Sequence, residues 1–236
     1  MTIDIVIINF RNYYLLDKQI EHWKNYMKGD YRLIIVDNTP AGERIARPDT
    51  VPFDPSSTFD GISSGEAYDF AIRQTTSDII GFTDTDNFFL NPYILTEIED
   101  LFSKGYQSVG AAGFYSDWQR VIDVGFPDFA GHLAAAPWAQ FMTRELALSE
   151  TFVCEPPGVG KVTGWKVRKK IIDEKIPCVV WPGFFPFKDD DQICAFGPEC
   201  CPKSIHLLKG CSSRAHLMPE AVPRALEWGK KRWECV

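Results

Sequence analysis

The chain has 236 residues, of which 45% are hydrophobic, and it carries a formal net charge of −7. This length and apolar content predict one domain with a sizeable core, and the acidic balance argues against a nucleic-acid-binding surface or a strongly basic membrane-binding face. The N-terminus lacks a basic leader region, no run of about 18 apolar residues occurs, and the number of cysteines is odd, so we expect a cytoplasmic protein with reduced thiols and no transmembrane segment.

Strands and helices alternate along the first half of the sequence. "IDIVIINF" is an Ile/Val-rich run of strand length, and "YYLLDKQIEHWKNYM" follows it with apolar residues at helical spacing. "YRLIIVDN" and "DIIGFTDTD" predict two further buried strands, with a helix between them in "SSGEAYDFAIRQTTS". A helix in "PYILTEIEDLFSKG" and a strand in "YQSVGAAGFY" come next. This order predicts an α/β fold with a mostly parallel central sheet and helices on both faces.

The second half gives a weaker pattern. Many Trp and Phe residues and a Pro/Gly-rich stretch at 182–202 suggest loops and short strands, with helices near 163–174 and 219–232. We therefore expect residues 1–113 and 114–236 to be two halves of one domain, the second with less regular structure.

Two carboxylates, Asp84 and Asp86, directly follow the third apolar strand. Ligands of open α/β sheets bind outside the carboxyl ends of the strands, which is where this pair would lie. In extended backbone the two side chains would project to the same side and share a Mg²⁺ or Mn²⁺ ion, leaving coordination positions for substrate phosphates. The alternative is that Asp84 stabilises a turn and Asp86 caps the helix that starts near Pro92.

The order of these segments resembles the family 2 glycosyltransferases of the GT-A fold. "IVIINFRN" is similar to the family's first strand and nucleotide-binding turn, "LIIVDN" to its second strand, "GISSGEAYDFAI" to its Gly-led helix and "IIGFTDTD" to its D-x-D strand. The resemblance covers residues 3–113 and implies a single GT-A domain, with a nucleotide-sugar-binding half at 1–113 and an acceptor-binding half at 114–236. It also implies transfer of a sugar from a nucleotide diphosphate sugar, most often a uridine one, to a glycan or other hydroxyl acceptor.

The resemblance further assigns roles to residues at the ends of the strands. The positions that would hold the base and ribose of the nucleotide are Asn9, Phe10, Arg11, Asp37 and Asp60. Asp84 would lie near the ribose and the metal, whereas Asp86 would ligate the metal and so hold the diphosphate. For Asp37 the alternative is a turn residue without a ligand.

A C-terminal histidine is the third metal ligand that the resemblance implies. His206 is similar to the histidine with which many GT-A enzymes close the metal site, and His216 is the competing candidate. Lys209 and Arg214 would reach the diphosphate as cationic donors. The alternative for either histidine is an ordinary packed or surface side chain.

The sequence departs from the family at the catalytic base. The family usually carries an acidic pair at the start of a late helix, and the corresponding stretch here, "VCEPPGVGKVTGWKVRKKI", lacks it. An inverting transfer needs a carboxylate to take the proton from the acceptor hydroxyl. Glu155 is the first candidate, and the alternatives are Asp189, Asp190, Asp191 and Asp117.

Parts of the sequence resemble other classes of protein. "PPGVGKV" resembles a phosphate-binding loop, but Glu155 replaces its first Gly and Val162 its Ser/Thr, which argues against an ATPase. A sugar nucleotidyltransferase would share the sheet but would need a Gly-rich turn where "NFRNYY" stands. A catalytically degenerate carbohydrate-binding or scaffold domain would keep the fold. Trp118 and Trp138 would stack on sugars in either case, and the alternative for both is packing in the core. The chain is short for the family, which is compatible with one module of a longer polypeptide.

Overall fold

The computed structural model describes residues 2–57, 60–112, 135–153, 163–181, 183–184, 193–197, 200, 202–207 and 218–233. The elements in chain order are β1 (Ile3–Asn9), α1 (Tyr13–Tyr26), β2 (Tyr31–Asp37), a 3-10 helix (Ala41–Glu43), β3 (Val51–Pro52), α2 (Asp60–Arg73), β4 (Ile79–Asp84), β5 (Asn87–Phe89), α3 (Ile94–Ser103), β6 (Ser108–Ala112), β7 (Ala135–Thr143), α4 (Arg144–Leu148), α5 (Trp165–Asp173), β8 (Cys178–Trp181), β9 (Gly183–Phe184), β10 (Ile193–Phe196), β11 (Ser204–Leu207) and α6 (Met218–Trp233).

The central sheet has seven strands in the order β3-β2-β1-β4-β7-β6-β8. Every neighbouring pair is parallel except the two that involve β7, which runs antiparallel to β4 and to β6. The prediction of a mostly parallel sheet is therefore confirmed. Because β7 and β8 belong to the second half of the chain, the two halves share one sheet and one domain. The strand β7 itself was not predicted, since "AAPWAQFMT" lacks a continuous β-branched run.

Helices cover both faces of the sheet, and successive side chains of β1 pack against helices on opposite faces. Ile3, Ile5 and Ile7 pack in one core cluster with residues of α1 and α3. Val6 and Ile8 pack in a second cluster with residues of α2 and α5. Burial on both faces explains why the central strands read as continuous apolar runs, and the predicted helices on both faces are confirmed.

A smaller antiparallel sheet has the order β5-β11-β10-β9. Phe88 of β5 and Ile205 of β11 are buried in a third cluster, together with Leu15 of α1 and Val222 of α6. This sheet brings a strand from near the C-terminus to the turn that follows β4. Within the described ranges, no helix is both long and apolar enough to span a bilayer.

Candidate functional site

The carboxyl ends of β1, β2 and β4 form one polar edge of the central sheet. Asn9 pairs with Asp37 across β1 and β2, and Ile8 pairs with Asp84 across β1 and β4. Neighbouring strands lie about 4.8 Å apart, so three residues from separate stretches of sequence come close together. The structure thus places Asn9, Asp37 and Asp84 where ligands bind in folds of this class.

Asp37 is fully buried, and protein donors surround its carboxylate. Its Oδ1 accepts hydrogen bonds from Asn9 Nδ2 at 3.2 Å and from the backbone N–H of Thr39 at 3.1 Å. Its Oδ2 accepts a bond from the Tyr13 hydroxyl at 2.7 Å. Asp37 therefore organises the turn after β2, and its direct contact with a nucleotide stays a prediction.

Phe10 and Arg11 lie at the rim of this edge. The Arg11 guanidinium lies 5.0 Å from the centre of the half-buried Phe10 ring, and it forms an exposed ion pair with Glu43 at 2.6 Å. Arg11 has a φ of 59°, in the left-handed region that non-glycine residues rarely adopt, and its backbone N–H donates to Thr39 Oγ1 at 2.8 Å. An aromatic ring and a cation are groups that can contact a base and a phosphate.

The two carboxylates after β4 differ from the expected geometry. Asp84 ends the strand, whereas Asp86 lies in the turn before β5. The backbone is therefore not extended from Asp84 to Asp86, contrary to what we expected when we predicted that both side chains project to the same side. Asp84 is partly exposed, and Asp86 is 5% exposed. The alternative role for Asp86 as a helix cap is also absent. Among the described residues, no side chain caps the first turn of α3, and the N–H of Tyr93 donates to Asn91 Oδ1.

The backbone of this turn is held from α1. Gln19 is 1% exposed, and its Nε2 donates to the carbonyl oxygen of Asp84 at 3.0 Å and to that of Asn87. The Thr83 hydroxyl donates to the same Asn87 carbonyl at 3.1 Å. Sequence reasoning did not single out Gln19, because a polar residue inside an amphipathic helix carries no sign of a distant partner.

The carboxylate of Asp84 is held from the other face of the sheet. The Tyr68 hydroxyl of α2 donates to Asp84 Oδ1 at 2.5 Å. Sequence reasoning missed Tyr68 as well, because a Tyr in a helix that covers a sheet is ordinarily a packing residue. Carboxylate oxygens are hard ligands suited to Mn²⁺ and Mg²⁺, and an outer hydrogen bond of this kind typically orients such a ligand.

Strand β11 brings position 206 beside the carboxylate pair. His206 is opposite Asn87 in the register of β11 and β5, and the backbone N–H of Leu207 donates to the Asp86 carbonyl at 2.8 Å. The side chain of His206 lies outside the described part of the chain, so its role as a ligand stays a prediction. Among the described side chains, no group of three or more His, Cys, Asp or Glu residues forms a ready metal centre.

Buried amides at the same edge lack partners among the described residues. Asn38 is 1% exposed, and neither its Oδ1 nor its Nδ2 makes a hydrogen bond. The Oδ1 atoms of Asn9 and Asn87 are also buried and accept no hydrogen bond from the described residues. Leaving such a group unpaired costs about 1–3 kcal/mol, so these amides are suited to a polar ligand or a water molecule. The sequence did not single out Asn38, because an Asn after a strand is typical of an ordinary turn.

The segment after α4 is docked on α2. Asp69 accepts hydrogen bonds from the backbone N–H of Phe152 at 2.8 Å and from the Thr151 hydroxyl. A Cβ atom at position 65 would lie 2.6 Å from the Phe152 carbonyl oxygen and 2.7 Å from the Val153 nitrogen, so Gly65 permits this close approach. Residues 151–153 are therefore anchored beside the helix that holds Asp84.

Several predicted site residues lie outside the described residues. They are Asp117, Trp118, Glu155, Asp189, Asp190, Asp191, Lys209, Arg214 and His216. The side chains of Asp60, at the start of α2, and of Trp138, in β7, are likewise outside the described part. The roles of all these residues stay predictions.

Comparisons with known proteins give matches only at the level of structure. No protein-family model matches the sequence, and no curated protein matches it either. Glucosyl-3-phosphoglycerate synthase from Mycobacterium tuberculosis in complex with phosphoglyceric acid superposes with a TM-score of 0.52 at 20% identity, over 77% of this chain and 70% of that one. The same enzyme in complex with Mn²⁺, UDP-glucose and phosphoglyceric acid superposes with a TM-score of 0.51 at 18% identity, over 76% of this chain and 69% of that one.

A second glycosyltransferase matches over nearly the whole chain. The mannosyltransferase PcManGT from Pyrobaculum calidifontis, in complex with GDP-mannose and Mn²⁺, has a TM-score of 0.51 at 14% identity, and the match covers 99% of this chain and 74% of that one. At these identities the comparisons establish the fold. The chain therefore has the GT-A fold of the nucleotide-sugar glycosyltransferases.

Proposed function

We propose that this chain is a metal-dependent glycosyltransferase that moves a sugar from a nucleotide diphosphate sugar to a glycan or other hydroxyl acceptor. The position of two carboxylates in the fold supports this proposal. Asp84 ends β4 and Asp86 lies in the turn that follows, at the carboxyl edge of the sheet and next to the polar ends of β1 and β2, in a fold shared with transferases bound to UDP-glucose or GDP-mannose with Mn²⁺.

Asp84 and Asp86 would hold a Mn²⁺ or Mg²⁺ ion, with His206 as the proposed further ligand. When bound, such a cation compensates the charge of the departing diphosphate. The hydrogen bond from Tyr68 and the bonds from Gln19 support this part of the proposal, since they keep the carboxylate and backbone of Asp84 in place without the cation.

The nucleotide would bind along the edge formed by β1 and β2. Phe10 and Arg11 would contact the base and phosphates from the rim, and Asn9, Asp37 and Asp60 would line the pocket below. The family resemblance favours a UDP-sugar as the donor. A GDP-sugar is the alternative, because the mannosyltransferase that covers 99% of this chain is bound to GDP-mannose.

The acceptor would bind to the half formed by residues 114–236, whereas residues 1–113 would bind the donor. For an inverting transfer a carboxylate must take the proton of the acceptor hydroxyl. Glu155 is the proposed base, and Asp191 is the alternative. The docking of residues 151–153 on α2 supports Glu155, because it anchors the backbone just before that residue on the helix whose Tyr68 holds Asp84.

Ligand-induced stabilisation tests the proposal. A ligand at about 100 times its Kd raises the free energy of unfolding by about 2.7 kcal/mol, so thermal shifts can rank UDP, GDP, ADP and their sugars with and without Mn²⁺. We expect a Mn²⁺-dependent shift with a uridine nucleotide in the wild-type chain, and none in Asp86→Ala. Asp100→Ala is the matched control, because Asp100 is exposed on α3 and forms an ion pair with Lys104, one turn away on the same helix.

The outcomes separate the candidate functions. Equal Mn²⁺-dependent shifts in Asp86→Ala and the control would reject the metal site. A larger thermal shift with GDP than with UDP would favour a GDP-sugar as the donor. Binding without hydrolysis or transfer of any nucleotide sugar would indicate the degenerate carbohydrate-binding domain, and formation of a nucleotide sugar from a sugar phosphate would indicate the nucleotidyltransferase.

A further inference from the structure

The hydroxyl of Tyr68 connects α2 to Asp84. Tyr68 is 3% exposed, and its hydroxyl donates to Asp84 Oδ1 at 2.5 Å. Hydrogen bonds from a hydroxyl to a charged carboxylate are short, about 2.5–2.7 Å, and roughly twice as strong as neutral ones. Gln19 holds the backbone of Asp84, whereas the bond from Tyr68 acts on the orientation of the carboxylate.

The ring that carries this hydroxyl is fixed by two other aromatic rings. Tyr68 stacks on Phe152 with a centroid distance of 5.6 Å and an interplanar angle of 29°, and it meets Phe82 edge-on at 5.7 Å. Phe82 and Phe152 are themselves 5.3 Å apart. Buried aromatic contacts of this kind leave a ring little freedom to rotate, so the hydroxyl is presented in one position.

Phe152 belongs to the segment that is anchored on the same helix. Its N–H donates to Asp69, one residue after Tyr68, and its carbonyl accepts a bond from the N–H of Gly164 at 2.9 Å. Residues 152 and 164 flank the stretch that contains Glu155. The position of the Tyr68 ring, and with it that of Asp84, therefore depends on how this segment packs.

We infer that Tyr68 is a positioning residue, which orients Asp84 for cation binding and links the carboxylate pair to the anchored segment at 151–153. The inference rests on the proposed function, since it assigns a role within the same metal site. Removing a partner that orients a metal ligand typically lowers metal affinity or activity by about 10- to 100-fold.

Tyr68→Phe tests this role, because it keeps the ring and removes only the hydroxyl. The matched control is Tyr31→Phe at the start of β2, at the opposite end of the sheet, where the Tyr31 hydroxyl donates to the Trp23 carbonyl at 2.6 Å. Each variant loses one hydrogen bond and keeps its aromatic ring, so we expect both to be less stable than the wild-type chain, Tyr68→Phe the more so because its bond is to a carboxylate. Loss of stability alone would leave the Mn²⁺ affinity of the folded chain unchanged in both variants.

The measurement is Mn²⁺ binding in the presence of saturating UDP or GDP, followed by the electron paramagnetic resonance signal of free Mn²⁺. We expect the Kd for Mn²⁺ to rise by about 10- to 100-fold in Tyr68→Phe and to stay unchanged in Tyr31→Phe. Phe152→Leu keeps the hydroxyl but loosens the ring, so we expect its Kd for Mn²⁺ to rise as well.

Each contrary result has a distinct meaning. An unchanged Kd in Tyr68→Phe overturns the positioning role and leaves the proposed function intact. An unchanged Kd in Phe152→Leu overturns the link to residues 151–153. If Tyr68→Phe does not fold, Phe152→Leu decides alone. Absence of Mn²⁺ binding by the wild-type chain with either nucleotide overturns both this inference and the proposed metal site.

Discussion

Buried His22 is expected to make the stability of this fold depend on pH. His22 of α1 is 5% exposed, and its Nε2 lies 2.7 Å from the Phe89 carbonyl oxygen. Burial lowers the pKa of His22 from its ordinary value of 6.5 to about 4, and the charge of Lys230 acts in the same direction, whereas the bond to Phe89 opposes them. His22 therefore stays neutral at pH 7 and donates its Nε2 proton to the carbonyl.

The size of the effect follows from the two pKa values. Above pH 6.5 the imidazole is mostly neutral in the folded and in the unfolded chain, so it adds no pH dependence. As the pH falls from 6.5 towards 4, the unfolded chain takes up a proton that the folded chain does not, and the free energy of unfolding decreases. The loss is about 2 kcal/mol at about pH 5 and levels off at about 3 kcal/mol below pH 4.

Urea unfolding of the wild-type chain and of His22→Gln, at about pH 7.5 and about pH 5, measures this loss. Gln keeps an N–H donor but does not titrate, so the difference between the two chains isolates His22 from the carboxylates. We expect the wild-type chain to lose about 2 kcal/mol more than the variant between the two pH values. The reasoning is refuted if both chains lose the same amount while their m-values agree.

Two further predictions concern the site. Asn38→Leu removes a buried amide that has no partner among the described residues, so we expect a higher free energy of unfolding and weaker nucleotide binding. Asn9→Leu makes the same change at the end of β1 and removes a hydrogen-bond donor from Asp37, so we expect it to lower the free energy of unfolding by about 1–3 kcal/mol. Urea unfolding measures both variants, and a loss of stability in Asn38→Leu as well would contradict the view that the Asn38 amide is unpaired in the unliganded chain. Glu155→Gln should leave donor and Mn²⁺ binding intact but lower turnover by about 10²–10⁴-fold, as measured in a transfer assay. Retention of anomeric configuration in the product, seen by NMR, would contradict a single inverting displacement.

Much of the structure of residues 1–113 could be predicted from the sequence because its signals are local. The Ile/Val runs of β1, β2 and β4 are continuous because each strand is buried on both faces, and the helix between β2 and β4 shows its own apolar spacing. A polar residue that directly follows such a run lies at the carboxyl end of a strand. For that reason Asp84 could be assigned to this edge without a structure, and the family resemblance added Asn9 and Asp37.

Contacts between distant segments were decided only by the tertiary structure. The insertion of β7 between β4 and β6, and the pairing of β5 with β11, join residues far apart in sequence, and no local pattern encodes such partners. The same holds for side chains. That Asp37 is enclosed by protein donors, that Asp86 lies in a turn, and that Tyr68 holds Asp84 all depend on which faces meet after folding. The sequence thus determined which residues end the strands, and tertiary packing determined which side chains each of those residues contacts.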